Sequence, residues 1–467
     1  MTAIETGMHP TLATPAPRET ARRFPVMAVL RMVALACLVA AVYREDCFRV
    51  AALDSGLLGL GLKVIRGIII VHHLGVIWLL ALLGTAWVLF SGRMGNKRLR
   101  SLRLLWIWLG FYVAQCALSG MGPEASSLRW ERLFLYQLPV ILPLFFLPVQ
   151  GGGIRVRNWL FVAGVVQIAA IVVLRRLAGA GFSDLASTQE SDTSRLIVQS
   201  DTITTSALLL QTALCAVNII IDKSSSRWLR GGAMAALPFA AMLALLTGSR
   251  GPVVAFVGAI LVLVGTLLLG AGRSGRTWSF FLVLLAVAGV VMFSRPMAAD
   301  PAFERLTSAW KDLREGETED ETITIRLRNY QLILNSAPTV FGHGVGSFGA
   351  VVGDPGDYPH NIVLEAYYET GVAGLVLFGG MILIYLIQAG RALLRQATSE
   401  RIFGVTLFVF YFGLNQFSGG FPASAMWACA LILMVGSCRL PSGEPVARAE
   451  VPPDPQAAAG LNGVPCP

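Results

Sequence analysis

The chain has 467 residues, of which 55% are hydrophobic and only 14% charged, and its mean hydropathy is +0.65. A soluble domain cannot bury that much apolar surface, so the composition excludes a soluble enzyme and points to an integral membrane protein. The net charge of +9 does not call for nucleic acid, because excess Lys and Arg gathers in the cytoplasmic loops of membrane proteins.

The first 24 residues are polar, with Arg18, Arg22 and Arg23 just before an apolar run. A signal peptide also begins that way. This run is longer, however, and shows no small-residue cleavage site before Tyr43-Arg44-Glu45-Asp46, so it reads as a retained first span. Apolar runs long enough to cross a bilayer follow near 67–91, 103–120, 132–148, 156–174, 203–221, 229–247, 251–270, 278–294, 363–389, 402–418 and 422–438. The expected fold is therefore an all-α integral membrane protein, a bundle of about twelve transmembrane helices with one larger periplasmic loop.

An even number of spans puts both termini on one side. The short loops on that side are basic: Arg93-Lys97-Arg98-Arg100, Arg155-Arg157, Lys223-Arg227-Arg230, Arg273-Arg276 and Arg391-Arg395-Arg401. Both termini are thus expected in the cytoplasm and the 295–362 loop outside. The expected organisation is a cytoplasmic tail (1–25), nine spans (26–294), a periplasmic loop with short amphipathic helices (295–362), three spans (363–438) and a disordered cytoplasmic tail (439–467). In the loop, Phe303, Leu306, Trp310 and Leu313 keep helical spacing. Residues 315–321 are acidic, and a second helical pattern runs from Ile325 to Ala337 before Pro338.

Candidate chemistry concentrates between Thr324 and Gly374, where charge, glycine and aromatic residues mix. Arg326 and Arg328 are two apart on the expected outer helix and cannot share a face. Arg326 aligns with Tyr330 and Ile333, and Arg328 with Gln331 and Leu332. Gly342-His343-Gly344-Val345-Gly346 either cradles an anion on the N–H groups around Gly344 and Gly346 or forms an ordinary turn. His360 and Asn361 stand where the next helix starts. The imidazole there can take a proton from a hydroxyl nucleophile, or both residues only cap the helix. Glu365 and Glu369 share a face of that helix; they orient the histidine or a basic partner, or simply favour a helix start. Arg250, in Thr247-Gly248-Ser249-Arg250-Gly251-Pro252, is held near the headgroup plane by two spans. It either binds phosphate bidentately or meets lipid headgroups.

Arginines and a histidine at one membrane face suit transfer of a sugar from a lipid pyrophosphate. The arginines would stabilise the leaving pyrophosphate and the histidine would activate the attacking hydroxyl. Seven cysteines include no CxxC spacing and no DxD-like ligand set is evident, so neither a metal nor a cofactor is expected.

These residues resemble the O-antigen ligase and polymerase superfamily. Ser249-Arg250-Gly251 resembles its arginine motif at a span junction. Arg326-Leu-Arg-Asn-Tyr330, Pro338 and Gly342-His-Gly-Val-Gly346-Ser-Phe348 resemble its "R…W…P…GxGxxxF" stretch, with Tyr330 where the family often has Trp. His360-Asn361-Ile-Val-Leu364-Glu365 and Glu369-Thr-Gly371-Val-Ala-Gly374 resemble its "HNxxLE…E.G..G" stretch. The resemblance spans residues 230 to 440. It implies a bacterial inner-membrane glycosyltransferase in lipopolysaccharide or exopolysaccharide biosynthesis. The donor would be a glycan on undecaprenyl pyrophosphate, and the acceptor lipid A–core or another lipid-linked glycan. It maps catalytic roles onto Arg250, Arg326 and His360. Arg328, Gly344, Gly346, Asn361, Glu365 and Glu369 are left as substrate-binding candidates.

Two other readings compete. A metal-dependent polyprenyl-phosphate-sugar transferase would use Glu45 and Asp46 as ligands. A transporter or flippase of lipid-linked sugars would need polar residues in mid-membrane, and the spans hold no mid-span acidic residue and no internal repeat.

Overall fold

The computed structural model describes residues 102–119, 152–177, 202–247, 249–270, 321–353, 358–417 and 426–438. Within them the chain is helical, with no strand. The helices are α1 (Arg103–Ser119), α2 (Gly152–Leu177), α3 (Thr202–Ile221), α4 (Arg227–Leu246), α5 (Arg250–Gly270), α6 (Glu321–Asn335), α7 (Ser347–Val352), α8 (Ile362–Arg395), α9 (Ser399–Leu414) and α10 (Met426–Ser437).

Four of them, in α3, α4, α5 and α8, are long and apolar enough to cross a membrane. The chain is thus a multi-pass membrane protein, as its composition requires. The runs at 26–43, 67–91, 132–148 and 278–294 lie outside the described residues, as do Phe303 to Leu313, the acidic stretch 315–320 and both tails. The second pattern of the 295–362 segment is present as α6, which stops at Asn335, ahead of Pro338.

Side-chain oxygens fix several helix starts. Ser226 accepts from Leu229 N ahead of α4, Thr398 from Arg401 N ahead of α9, and Asn361 from two N–H groups ahead of α8. Aromatic rings join α1, α8 and α10 in the core: Trp108 lies 5.1 Å from Phe378, which meets Trp427 edge-on at 5.6 Å. Polar side chains join α3 to α9. Tyr411 Oη donates to Gln211 Oε1, and Asn218 Nδ2 donates to Thr406 Oγ1 at 3.5 Å. Such buried bonds contribute roughly 0.6–2 kcal/mol each between membrane helices.

The hydrogen bonds also order the two ends of the bundle. At one end the starts of α2 and α9 meet the ends of α3, α8 and α10. Gly153 N donates to Glu400 Oε1 (2.8 Å), Ser399 Oγ to Asp222 Oδ1 (3.1 Å), and Arg401 Nε to Ser437 O (3.2 Å). At the opposite end α8 starts beside the close of α9, where Ile362 N donates to Asn415 O at 3.0 Å.

Candidate functional site

The second end holds the residues singled out from the sequence. Asn361 is the N-cap of α8: its Oδ1 accepts from Val363 N and Leu364 N, both at 3.0 Å. Its Nδ2 donates to Gln416 O at 3.4 Å. Tyr330 of α6 donates its Oη to the same Gln416 carbonyl at 3.5 Å. One carbonyl just beyond α9 therefore gathers α6 and the start of α8. Burial raises the Tyr330 phenol above its ordinary value, against the opposing effects of the Arg326 charge and a hydrogen bond with Asn361.

Arg326 and Arg328 separate here. Arg326 is half-buried and electrostatically coupled to Tyr330, whereas Arg328 is exposed. The buried Arg326 Nε has no hydrogen-bond acceptor among the described residues. A buried guanidinium N–H in that state favours an anionic ligand.

His360 is the one non-glycine residue with positive φ among the described residues, at φ 57°. Left-handed backbone there breaks the chain direction just before the Asn361 cap and costs a non-glycine residue of order 1–3 kcal/mol. The ring lies 4.3 Å from that of Tyr358. Arg250 opens α5 at this same end. Ala255, just over a turn further along α5, sits under Gly413 near the close of α9.

The glycine stretch does something the sequence did not reveal. Helix α8 is broken at Gly371, whose φ 73° and ψ −170° are open in practice only to glycine. The break leaves helical N–H and carbonyl groups without their usual partners, and the 339–344 segment supplies new ones. Val372 N donates to Thr339 O and Ala373 N to Val340 O, both at 3.0 Å. His343 N donates to Tyr368 O (2.9 Å) and Gly344 N to Glu369 O (3.1 Å). The two backbones cross so closely that a Cβ on Gly342 would lie 2.3 Å from Glu369 O, and one on Gly371 2.3 Å from Gly342 N.

This geometry corrects the anion-cradle reading of Gly344 and Gly346. Gly344 N points at the helix break, and Gly346 N donates to Glu369 Oε1 at 2.9 Å. Both N–H groups face inward. Glu369, 1% exposed, anchors the turn, and Glu365 is equally buried on the same helix face. Asn361 likewise spends its amide on the cap and on Gln416. His343 is exposed and its ring lies 4.6 Å from that of Tyr368. Glu45 and Asp46 lie outside the described residues. Sequence reading missed Tyr330 as a tie, Gln416 altogether and the break at Gly371. Only the isolated glycine in the Glu369-Thr-Gly371 stretch signalled the last.

No curated protein matches the chain. Residues 234–379 match the family model described as O-antigen ligase. The matched segment holds Arg250, Arg326, the glycine turn, His360 and the break at Gly371, so the resemblance to the O-antigen ligase and polymerase superfamily is borne out over residues 234–379.

Proposed function

We propose that the protein is a membrane glycosyltransferase that moves a glycan from undecaprenyl pyrophosphate to an acceptor hydroxyl at the periplasmic face, without a metal. The observation that carries this reading is half-buried Arg326, whose buried Nε has no acceptor among the described residues, beside Tyr330 and the His360–Asn361 helix start. Arg326 and Arg250 hold the pyrophosphate and offset the charge that grows on it as the glycosidic bond breaks. His360 removes the proton from the acceptor hydroxyl. Its oxygen attacks the anomeric carbon opposite the leaving group, the carbon–oxygen bond to pyrophosphate breaks, and undecaprenyl pyrophosphate departs with the bonding pair. The anomeric centre is inverted. Asn361, Glu369, Tyr330 and Gln416 fix the frame on which these groups stand.

The test is transfer by the purified protein from an undecaprenyl-pyrophosphate-linked glycan to lipid A–core, with and without EDTA. Expected is an inverted linkage that EDTA leaves intact. Activity abolished by EDTA sinks the metal-free mechanism, and movement of the donor across a bilayer with no new linkage sinks the transferase. In a deletion strain, long chains left on the carrier lipid with none on lipid A–core identify a ligase. Single repeat units on the core identify a polymerase.

A further inference from the structure

Helix α8 changes character at Gly371. Before the break, Ile362 to Thr370 contain no exposed residue. After it, Val372, Val376, Leu383, Ile387 and Leu394 are all exposed and repeat along one face. From Val372 to Arg391 the helix rises about 28 Å, close to the roughly 30 Å of a hydrocarbon core. The second half is by itself long enough to cross the membrane, with Arg391 and Arg395 at its far end. The first half, carrying buried Glu365 and Glu369, is enclosed by the protein and offers no exposed side chain to lipid.

The 339–344 segment is bonded to the first residues of that crossing half, through Val372 N to Thr339 O and Ala373 N to Val340 O. Its depth is therefore fixed. Val340 and Phe341, 63% and 61% exposed, lie at the level where the lipid-facing stripe begins. Exposed valine and phenylalanine side chains are poorly placed in water and well placed in lipid tails. The backbone beneath them has its hydrogen bonds satisfied by the helix break, which meets the condition for irregular chain at membrane depth.

We infer that Val340 and Phe341 form a lipid-facing wedge: they enter the leaflet on the site side of the membrane, beside Val372 and Val376, and set the height of the His360–Arg326 site above the lipid. The occupant is bilayer lipid, because the wedge continues the exposed stripe of α8 without interruption.

The test uses full-length protein in nanodiscs of phosphatidylethanolamine and phosphatidylglycerol, with a benzophenone amino acid at position 341, and separately at 340 and 376. Both loop side chains are largely exposed, so the added bulk has room. After illumination, the expected result is an intact-mass increase of one phospholipid at 341 and 340, as at 376. A lipid adduct at 376 with none at 341 or 340 overturns the wedge. A cross-linked dimer at 341 also overturns it, because a second copy would then cover this face. Absence of lipid at 376 overturns the lipid-facing assignment of α8 itself. None of these readouts depends on glycan transfer, so they stand or fall apart from the transferase reading.

Discussion

Two arginines at opposite ends of the bundle, Arg157 and Arg326, use their donors differently. At one end Arg157 and Asp222 are 0% and 3% exposed and form an ion pair of 2.9 Å. All three guanidinium nitrogens of Arg157 donate, to Asn158 Oδ1, Asn218 O and Ser225 Oγ besides the carboxylate. Arg401 likewise donates to the carbonyls of Ala392, Gln396 and Ser437, closing the ends of α8 and α10. At the other end Arg326 keeps a buried N–H without an acceptor among the described residues, and His360 holds a left-handed backbone. A cation whose donors are all used holds helices together, whereas a spare donor can meet an anionic ligand; Arg230 near the first end also keeps a buried Nε without an acceptor among the described residues, so what sets Arg326 apart is its place beside Tyr330 and the Asn361 cap.

The largest effect should come from removing the proposed base without disturbing the backbone. Asparagine tolerates left-handed φ and caps well, so His360→Asn removes the imidazole and little else. Turnover should fall about 10²–10⁴-fold while protein yield and donor binding persist. Near-normal transfer by His360→Asn would leave His360 as a shaping residue only. His360→Gly separates the two roles further: if glycine restores activity that alanine loses, the backbone and not the ring was at issue.

At the opposite end, Asp222→Asn should reduce stability with little change in turnover per folded molecule. Breaking a buried ion pair on one side costs about 3–5 kcal/mol, read as a lower midpoint of heat unfolding in detergent. Burial by itself would raise the Asp222 pKa, but hydrogen bonds from Ser224 and Arg157 and the Arg157 charge bring it below its ordinary value of 3.8. Its contribution is therefore complete above that value and lost as pH falls through the lower, folded one. Acid should lower the unfolding midpoint of the wild type more steeply than that of Asp222→Asn. Parallel curves would show that the pair contributes nothing there.

Between the two lies the helix break. Gly371→Ala meets a conformational cost of roughly 1–3 kcal/mol and a clash with the backbone of Gly342. Overpacking adds about 1–3 kcal/mol more. The expected signs are a lower unfolding midpoint and faster proteolysis in the 339–344 segment. Gly379→Ala, where an added Cβ meets nothing within 4 Å, should be neutral or slightly stabilising. Equal behaviour of the two variants would show that the break is not required.

The all-helical membrane character, and the spans of α3, α4, α5 and α8, were legible in the sequence because membrane spans announce themselves by length and hydropathy. The grouping of Arg250, Arg326 and His360 at one end was expected from the starts of two spans and from the loop between spans that carries Arg326. The Arg157–Asp222 clasp was not legible. Asp222 is one acid in a basic loop, and its partner begins another helix far away in sequence, so no local spacing links them. The role of Glu369 was hidden for a related reason. Its carboxylate serves Gly346 N, and the pairing exists only because α8 unwinds at Gly371 and lets another segment in.

The smallest expected effect decides between the two arginines of α6. They share a sequence neighbourhood but not an environment: Arg326 is half-buried next to Tyr330, and Arg328 is exposed. A lysine at 326 keeps the charge but loses the planar fork that can grip a phosphate with two hydrogen bonds. Loss of one charge-assisted bond corresponds to about 1.5–3 kcal/mol, or roughly tenfold to a hundredfold in kcat/KM. Arg250→Lys should fall in the same range if both arginines face the pyrophosphate. Arg328→Lys keeps an exposed charge in high dielectric and should change kcat/KM by less than about twofold. The contrast also responds to salt: an exposed charge that only steers the anionic donor weakens as ionic strength rises, whereas a buried contact is screened much less. A large, salt-sensitive loss in Arg328→Lys together with full activity of Arg326→Lys would reverse the assignment and place the pyrophosphate on the outer face of α6.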